Sequence, residues 1–211
     1  MDMPDLTLET TRFREWAAAE SKAEEGQWEC DYNDWPAWHQ AVLACVAECA
    51  ALVWAEEDIE HVLYAIARDN DTQYLAREIR LRYPDALRFL SRAALAKGEA
   101  QSRWQLAIEL GAMAPDDEIE GLLLAFATDE DEYVRRHAIR SLTATGSRAA
   151  EELAWASWHR PDDQQEWARM SVLECLRELK SPRLAPLLAE ALYDCRPFLR
   201  QFAERMRDEG H

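Results

Sequence analysis

Along "DEDEYVRRHAIRSL", residues 129–142, apolar and small side chains fall at Val134, Ala138, Ile139 and Leu142, with Arg135 beside the first. Those steps place one apolar stripe on one side of a helix. The pattern returns upstream at Ser102, Arg103, Leu106, Ala107 and Leu110, and downstream at Ala168, Arg169, Val172, Leu173 and Leu176. A shorter copy lies at Leu199, Arg200 and Ala203. The arginines at 103, 135, 169 and 200 are 32, 34 and 31 residues apart. A period of that size implies stacked helical hairpins.

Each of these helices has a partner before it. Segments 84–97, 115–128, 147–159 and 182–194 are apolar-periodic. "PDALRFL", "APDDEIEGLLLAF" and "SPRLAPLLAEAL" carry Pro at or near a helix start, where its missing N–H costs nothing. Gly98 and Gly146 fall where turns are needed. A weaker pair, 57–68 and 71–82, precedes them. The pattern predicts that helices 71–82, 99–113, 130–144, 163–179 and 197–208 line one, concave face. Runs of β-branched residues are missing, so no sheet is expected.

Residues 1–56 do not fit the repeat. The pattern predicts a helix from about Leu6 to Glu25, with Phe13, Trp16 and Ala17 inward and Gly26 as its stop. A second helix starts at Asp34 as N-cap, with Pro36 in its first turn. Its stripe runs Trp35, Trp38, Val42, Val46, Cys49 and Val53. The two helices suit a cap that covers the open end of an array.

The segment "DEDEYVRRHAIRSL" resembles the second helix of a HEAT repeat: Asp131, Val134, Arg135, Ala138 and Leu142 stand at that family's marked positions. The resemblance covers roughly residues 57–208. It implies an all-α, right-handed α-solenoid of about five hairpins, here with an N-terminal helical cap at 1–56 and one continuous array over 57–211. It also implies an Asp–Arg ladder between neighbouring repeats. The other copies carry Glu99, Gln165 and Arg196 at the Asp position, so an unbroken ladder is not expected. The fold hosts many functions, and the resemblance is silent on which one applies.

Charge narrows the partners. The net charge is −17, and residues 1–62 hold 15 acids against 3 bases. Such a balance disfavours direct binding of an anionic nucleic acid and favours a basic protein partner. The bases are 21 Arg and 3 Lys, an excess that suggests organised pairing with carboxylates. No signal-peptide pattern and no membrane-length apolar run is present, and the 5 cysteines make an odd count. These features predict a cytoplasmic chain with reduced thiols.

Catalytic chemistry finds few candidates. Cys45 and Cys49 are one helical turn apart and His39 lies nearly two turns earlier, yet a structural zinc site wants four ligands. Small buried cysteines explain the pair, so no metal and no cofactor are expected. The stretch "WASWHRPDDQQEW" offers Trp155, Trp158 and Trp167 with Asp162 and Asp163. Such a set suits an aromatic pocket of the kind used by helical-repeat DNA glycosylases. A turn with a helix cap, and tryptophans in the core, describe it better.

The reading is therefore a protein-binding module without catalysis. Its most concrete form is an acidic inhibitor or immunity protein that neutralises a basic toxin, for example a nuclease. The alternatives are a scaffold or regulatory subunit, and a glycosylase- or lyase-type enzyme. Two groups are the candidate contact residues: Trp28, Asp31, Tyr32 and Asp34 in the cap, and Asp129, Glu130, Glu132, Arg136 and His137 around the repeat helix. Trp28 and Tyr32 are expected outside, Trp35 and Trp38 inside. Replacing Val134 with Asp puts an unpaired charge among packed helices. It should collapse the cooperative thermal transition followed by circular dichroism, whereas Asp129→Lys with Glu130→Lys should leave that transition in place.

Overall fold

The computed structural model describes residues 5–19, 31–49, 53–161 and 165–209. Among them every regular element is helical. The first six helices are α1 (Leu6–Ala19), α2 (Trp35–Cys49), α3 (Glu56–Arg68), α4 (Tyr74–Arg82), α5 (Pro84–Lys97) and α6 (Ala100–Gly111). The next six are α7 (Asp117–Phe126), α8 (Glu132–Ala144), α9 (Ala150–His159), α10 (Glu166–Glu178), α11 (Leu184–Ala191) and α12 (Pro197–Glu209). The five expected hairpins are therefore α3/α4 through α11/α12, preceded by α1/α2. No described helix is long and apolar enough to cross a membrane. The chain divides into two compact units, Met1–Met113 and Ala114–His211.

In the first unit α1 packs on α2 and α3, α2 on α4, and both α3 and α4 on the α5/α6 hairpin. Trp38, Val42 and Val46 of α2, with Ile66, Leu75 and Leu106, are fully buried. Each such side chain contributes roughly 1.5–3 kcal/mol by leaving water. The α2 stripe ends earlier than its spacing suggested. The helix is described to Cys49, and Val53 is non-helical and 92% exposed. Between α3 and α4 a buried Asp69 organises the turn, accepting from Leu75 N (2.7 Å) and Thr72 Oγ1 (2.6 Å). Gln105 of α6, wholly buried, donates from Nε2 to the Ile66 carbonyl of α3 at 2.6 Å. A buried amide must find such a partner.

In the second unit the second helices lie side by side, α8 against α10 and α10 against α12. Their inner faces carry the predicted stripes: Val134, Ala138 and Leu142, then Ala168, Val172 and Leu176 are buried. The 34-residue step is visible in two equivalent turns. Gly146 (φ 73°) and Lys180 (φ 52°) are both left-handed and close the C-termini of α8 and α10. Ser147 N bonds the Leu142 carbonyl, and Ser181 N bonds the Leu176 carbonyl, each at 2.9 Å. Each serine then does two further things. Its Oγ accepts the backbone N–H two residues on, from Ala149 (3.2 Å) and Arg183 (3.0 Å). The same Oγ donates to a glutamate on the first helix of the preceding hairpin, Ser147 to Glu120 and Ser181 to Glu151, each at 2.5 Å.

The recurring arginines hold the hairpin loops. Arg135, 3% exposed, donates from Nη1 to the carbonyls of Asp129 and Glu130, both at 2.7 Å. Arg103 donates to the Gly98 carbonyl (2.5 Å) and Arg200 to the Asp194 carbonyl (3.1 Å). Each arginine thus satisfies acceptors in the turn just before its own helix. Asp131, the family's marked acid, caps α8 by accepting from Tyr133 N (2.8 Å) and Val134 N (3.2 Å). Links between neighbouring repeats run through other pairs: Arg80 with Glu109, Arg140 with Glu174 and Arg177 with Glu209.

A second loop device repeats. Asp129 Oδ1 accepts from Asp131 N, and Asp194 Oδ1 accepts from Arg196 N, each at 2.9 Å. Both aspartates stand six residues before a periodic arginine, and Asp163 has the same relation to Arg169 but lies outside the described residues. Arg196 also clasps Asp194 from its guanidinium, which holds that carboxyl down at about 2. Arg169 stands 3.5 Å away and adds to the effect.

The two turns share a left-handed residue and a serine N–H bonded five residues back, and one holds Gly where the other holds Lys, so they make a pair for comparison. A side chain at such a φ costs about 1 kcal/mol that Gly does not. Lys180→Gly should raise the unfolding free energy in urea by about 1 kcal/mol, and Gly146→Ala should lower it by about the same. Equal behaviour at both sites would contradict the equivalence.

Candidate partner-binding surface

The cap is built on aromatic rings. Phe13 of α1 stacks on Trp38 of α2 at 4.3 Å between centroids, and Trp35 stacks on Trp38 at 5.2 Å. The buried Trp38 indole donates from Nε1 to Thr10 Oγ1 at 3.1 Å. Tyr32 corrects the sequence reading: it is 6% exposed and not on the outer surface. Its ring meets Phe13 edge-on at 5.0 Å and also packs on Trp16 at 5.0 Å. The reason is geometric, since the α1–α2 crossing leaves the Phe13 face open and Tyr32 closes it. Burial raises the tyrosine pKa, with Asp34 and Glu9 adding to it. Asp31 and Asp34 remain exposed, and the Asp34 carbonyl receives Ala37 N and Trp38 N at the head of α2. Trp28 lies outside the described residues. Among the described residues of this segment, Asp31 and Asp34 face solvent while Tyr32 and Trp38 are buried.

The other candidate group gathers at the start of α8. Asp129 is engaged in the loop turn and Glu130 is exposed. Glu132 pairs with Arg136 at 3.1 Å, one turn on. The Arg136 guanidinium lies over the Tyr133 ring at 4.5 Å, and Tyr133 packs on His137 at 4.5 Å. His137 lies off the apolar stripe, yet Tyr133 packs on it and it is half-buried. Burial, with Arg136 and Arg140 beside it, lowers its pKa from 6.5 to about 4. Asp129→Lys therefore does more than change a surface charge, because it removes the acceptor for Asp131 N. Glu130 is exposed, and its substitution leaves the Asp129 acceptor in place.

Three exposed aromatics missed by the sequence reading occupy one register. Tyr133, Trp167 and Phe198 are 42%, 54% and 56% exposed. Each sits two residues before a periodic arginine: 135, 169 and 200. They therefore share one position in the first turn of α8, α10 and α12. Trp167 and Phe198 stack, with centroids 6.3 Å apart and planes 20° from parallel. The signal is present in the spacing, at a position that lies off the core-facing stripe. Exposed aromatics gathered in a row are what an interaction surface uses.

The tryptophans of "WASWHRPDDQQEW" go to three different surroundings. Trp158 is 1% exposed, donates to Glu190 Oε2 at 3.1 Å, and lies under the Arg169 guanidinium. Trp155 packs beside His159 and Arg183, and Trp167 faces outward beside Phe198. Asp162 and Asp163 lie outside the described residues. An open hollow of about 450 Å³ sits between Asp116 at the head of α7 and Ser147 before α9. Two of its acids have structural duties, since Asp116 accepts from Ile119 N (2.9 Å) and Glu120 accepts from Ser147 Oγ.

One cluster has metal-ligand composition. Cys45, Cys49 and Asp58 bring their ligand atoms within 4.8 Å of one another. The sulfurs are 3.8 Å apart, and Cys49 Sγ stands 3.9 Å from Asp58 Oδ2. Burial, followed by the neighbouring Cys49 and Asp58, pushes the Cys45 thiol far above its usual range. Sequence spacing showed the two thiols; only the packing of α3 on α2 supplies the carboxylate.

The state of His137 gives a pH prediction. Its folded pKa lies below its ordinary value, so the unfolded chain binds the extra proton first. Stability from this residue is complete above pH 6.5 and falls as pH drops toward about 4. His137→Asn should flatten that part of a plot of urea midpoint against pH, while wild type keeps the slope.

A family model described as HEAT repeats matches residues 87–171 and, shifted by one repeat, residues 119–206. Comparison with curated proteins gives no match, and neither does comparison with solved structures. The matched region covers residues 87–206, more than half of the 211 residues, and the chain belongs to the HEAT-repeat family.

Proposed function

We propose that this HEAT-repeat protein works by binding another protein and not by catalysis, and that the partner is basic. The observation that carries the reading is the exposed register of Tyr133, Trp167 and Phe198 on a chain of net charge −17. HEAT arrays suggest interaction scaffolds, and rings of this size anchor interfaces when a partner removes them from water. The acids supply long-range attraction. They would raise the association rate, while the rings would slow release. In its narrowest form the proposal is an inhibitor or immunity protein that occludes a basic toxin.

The test is affinity capture from the source organism, followed by binding measurements with the purified partner. The captured protein should have a high isoelectric point, and association should slow as salt rises. Trp167→Ala should weaken binding by about 30-fold, the effect of losing a hot-spot ring worth roughly 2 kcal/mol. Glu130→Lys should act mainly on the association rate. Expression of the partner alone should arrest growth, and co-expression with this chain should restore it. An acidic protein or a nucleic acid as the bound species would sink the proposal. Several partners without growth rescue would replace the inhibitor with a scaffold subunit.

A further inference from the structure

The pairing of Cys45, Cys49 and Asp58 is independent of the partner surface. Cys45 and Cys49 are one turn apart near the end of α2, and Asp58 lies in the first turn of α3. Two sulfurs bound at about 2.3 Å to one tetrahedral ion stand about 3.8 Å apart. The separation found here is 3.8 Å. A sulfur and a carboxylate oxygen on the same ion would stand about 3.5 Å apart. The Cys49–Asp58 separation is 3.9 Å and all three ligand atoms lie within 4.8 Å of one another, so the carboxylate closes in on the sulfurs when the ion binds.

We propose that Cys45, Cys49 and Asp58 bind one zinc-like divalent cation, with solvent as the fourth ligand, and so tie α2 to α3. The donor set selects the ion. Thiolates exclude magnesium and calcium, which take oxygen ligands, and two sulfurs with a carboxylate suit tetrahedral zinc. The thiol of Cys49 now points its proton at Asp58, where the cation would sit. On binding, each thiol releases its proton to solvent, two sulfur–metal bonds and one oxygen–metal bond form, and no oxidation occurs. The three ligands bring three negative charges. The cation offsets two of them, and the positive end of the α3 dipole favours the remainder. Cys49 is 8% exposed and Cys45 half-buried, so the site lies at the rim of the packed helices and within reach of solvent.

The experiment uses the full chain, reduced and stripped with a chelator, then titrated with cobalt(II) chloride under nitrogen. The expected result is one cobalt per chain, with thiolate-to-cobalt charge-transfer absorption and the intense visible bands of tetrahedral cobalt. Zinc chloride should erase both. Cys45→Ser and Cys49→Ser should abolish the charge-transfer band. Asp58→Asn should weaken binding by at least about tenfold, since loss of an outer-shell partner alone costs that much. Cys30→Ser, Cys175→Ser and Cys195→Ser should change nothing. If Cys49→Ser fails to fold by circular dichroism, Cys45→Ser and Asp58→Asn decide the matter. Absence of the thiolate band overturns the proposal. So does a band that survives Cys45→Ser, a band lost in Cys195→Ser, or an unchanged affinity in Asp58→Asn.

Discussion

A helical hairpin array must satisfy the carbonyls of its turns, because each turn is pressed between its own helix and a neighbour. Here long cations meet that demand from inside. Arg103, Arg135 and Arg200 each reach back to the turn that precedes their helix. A guanidinium suits this task because it offers several donors in a fixed fork and stays charged when buried. At these three positions the period of the arginines is a period of loops, while Arg169 reaches forward to Glu190 and Asp194. The apolar stripes beside them follow the same step because the helix that carries the arginine must also cover the core.

This arrangement assigns the marked residues of the repeat to particular atoms. Asp131 satisfies the free N–H groups of α8, and Asp129 shapes the turn. Neither is spare for a ligand. What remains available is the side of the first turn that points away: Tyr133, Trp167 and Phe198, one on each of α8, α10 and α12. The position two residues before the arginine cannot face the core, so apolar rings there are not explained by packing within the hairpin. The interaction surface and the structural ladder are thus interleaved on the same turns.

Most of the fold was legible in the order of residues. Helices α3 through α12 begin and end within a few residues of their expected bounds, because dense apolar stripes and proline or acidic starts mark them. Local pattern failed where tertiary packing decides. Tyr32 reads as a surface residue between acids, but Phe13 from a helix far earlier needs a lid. Val53 continues the α2 spacing although it lies outside the helix and is exposed. His137 falls off the stripe, yet the ring one turn earlier shelters it. Asp58 could be linked to Cys49 only after α3 was laid against α2. The candidate surface was legible as charge and not as rings, since exposure of Trp167 and Phe198 depends on how α10 and α12 are turned.

The serine struts have a genealogical corollary. Ser147 grips Glu120 and Ser181 grips Glu151, and the two serines stand 34 residues apart. Excision of residues 143–176 would fuse Leu142 to Arg177 and hand Ser181 the carboxylate that Ser147 had held. Both cut ends would remain matched, and a whole hairpin would be gone. Unequal recombination between such copies can lengthen or shorten the gene in complete modules, with every surviving strut still engaged.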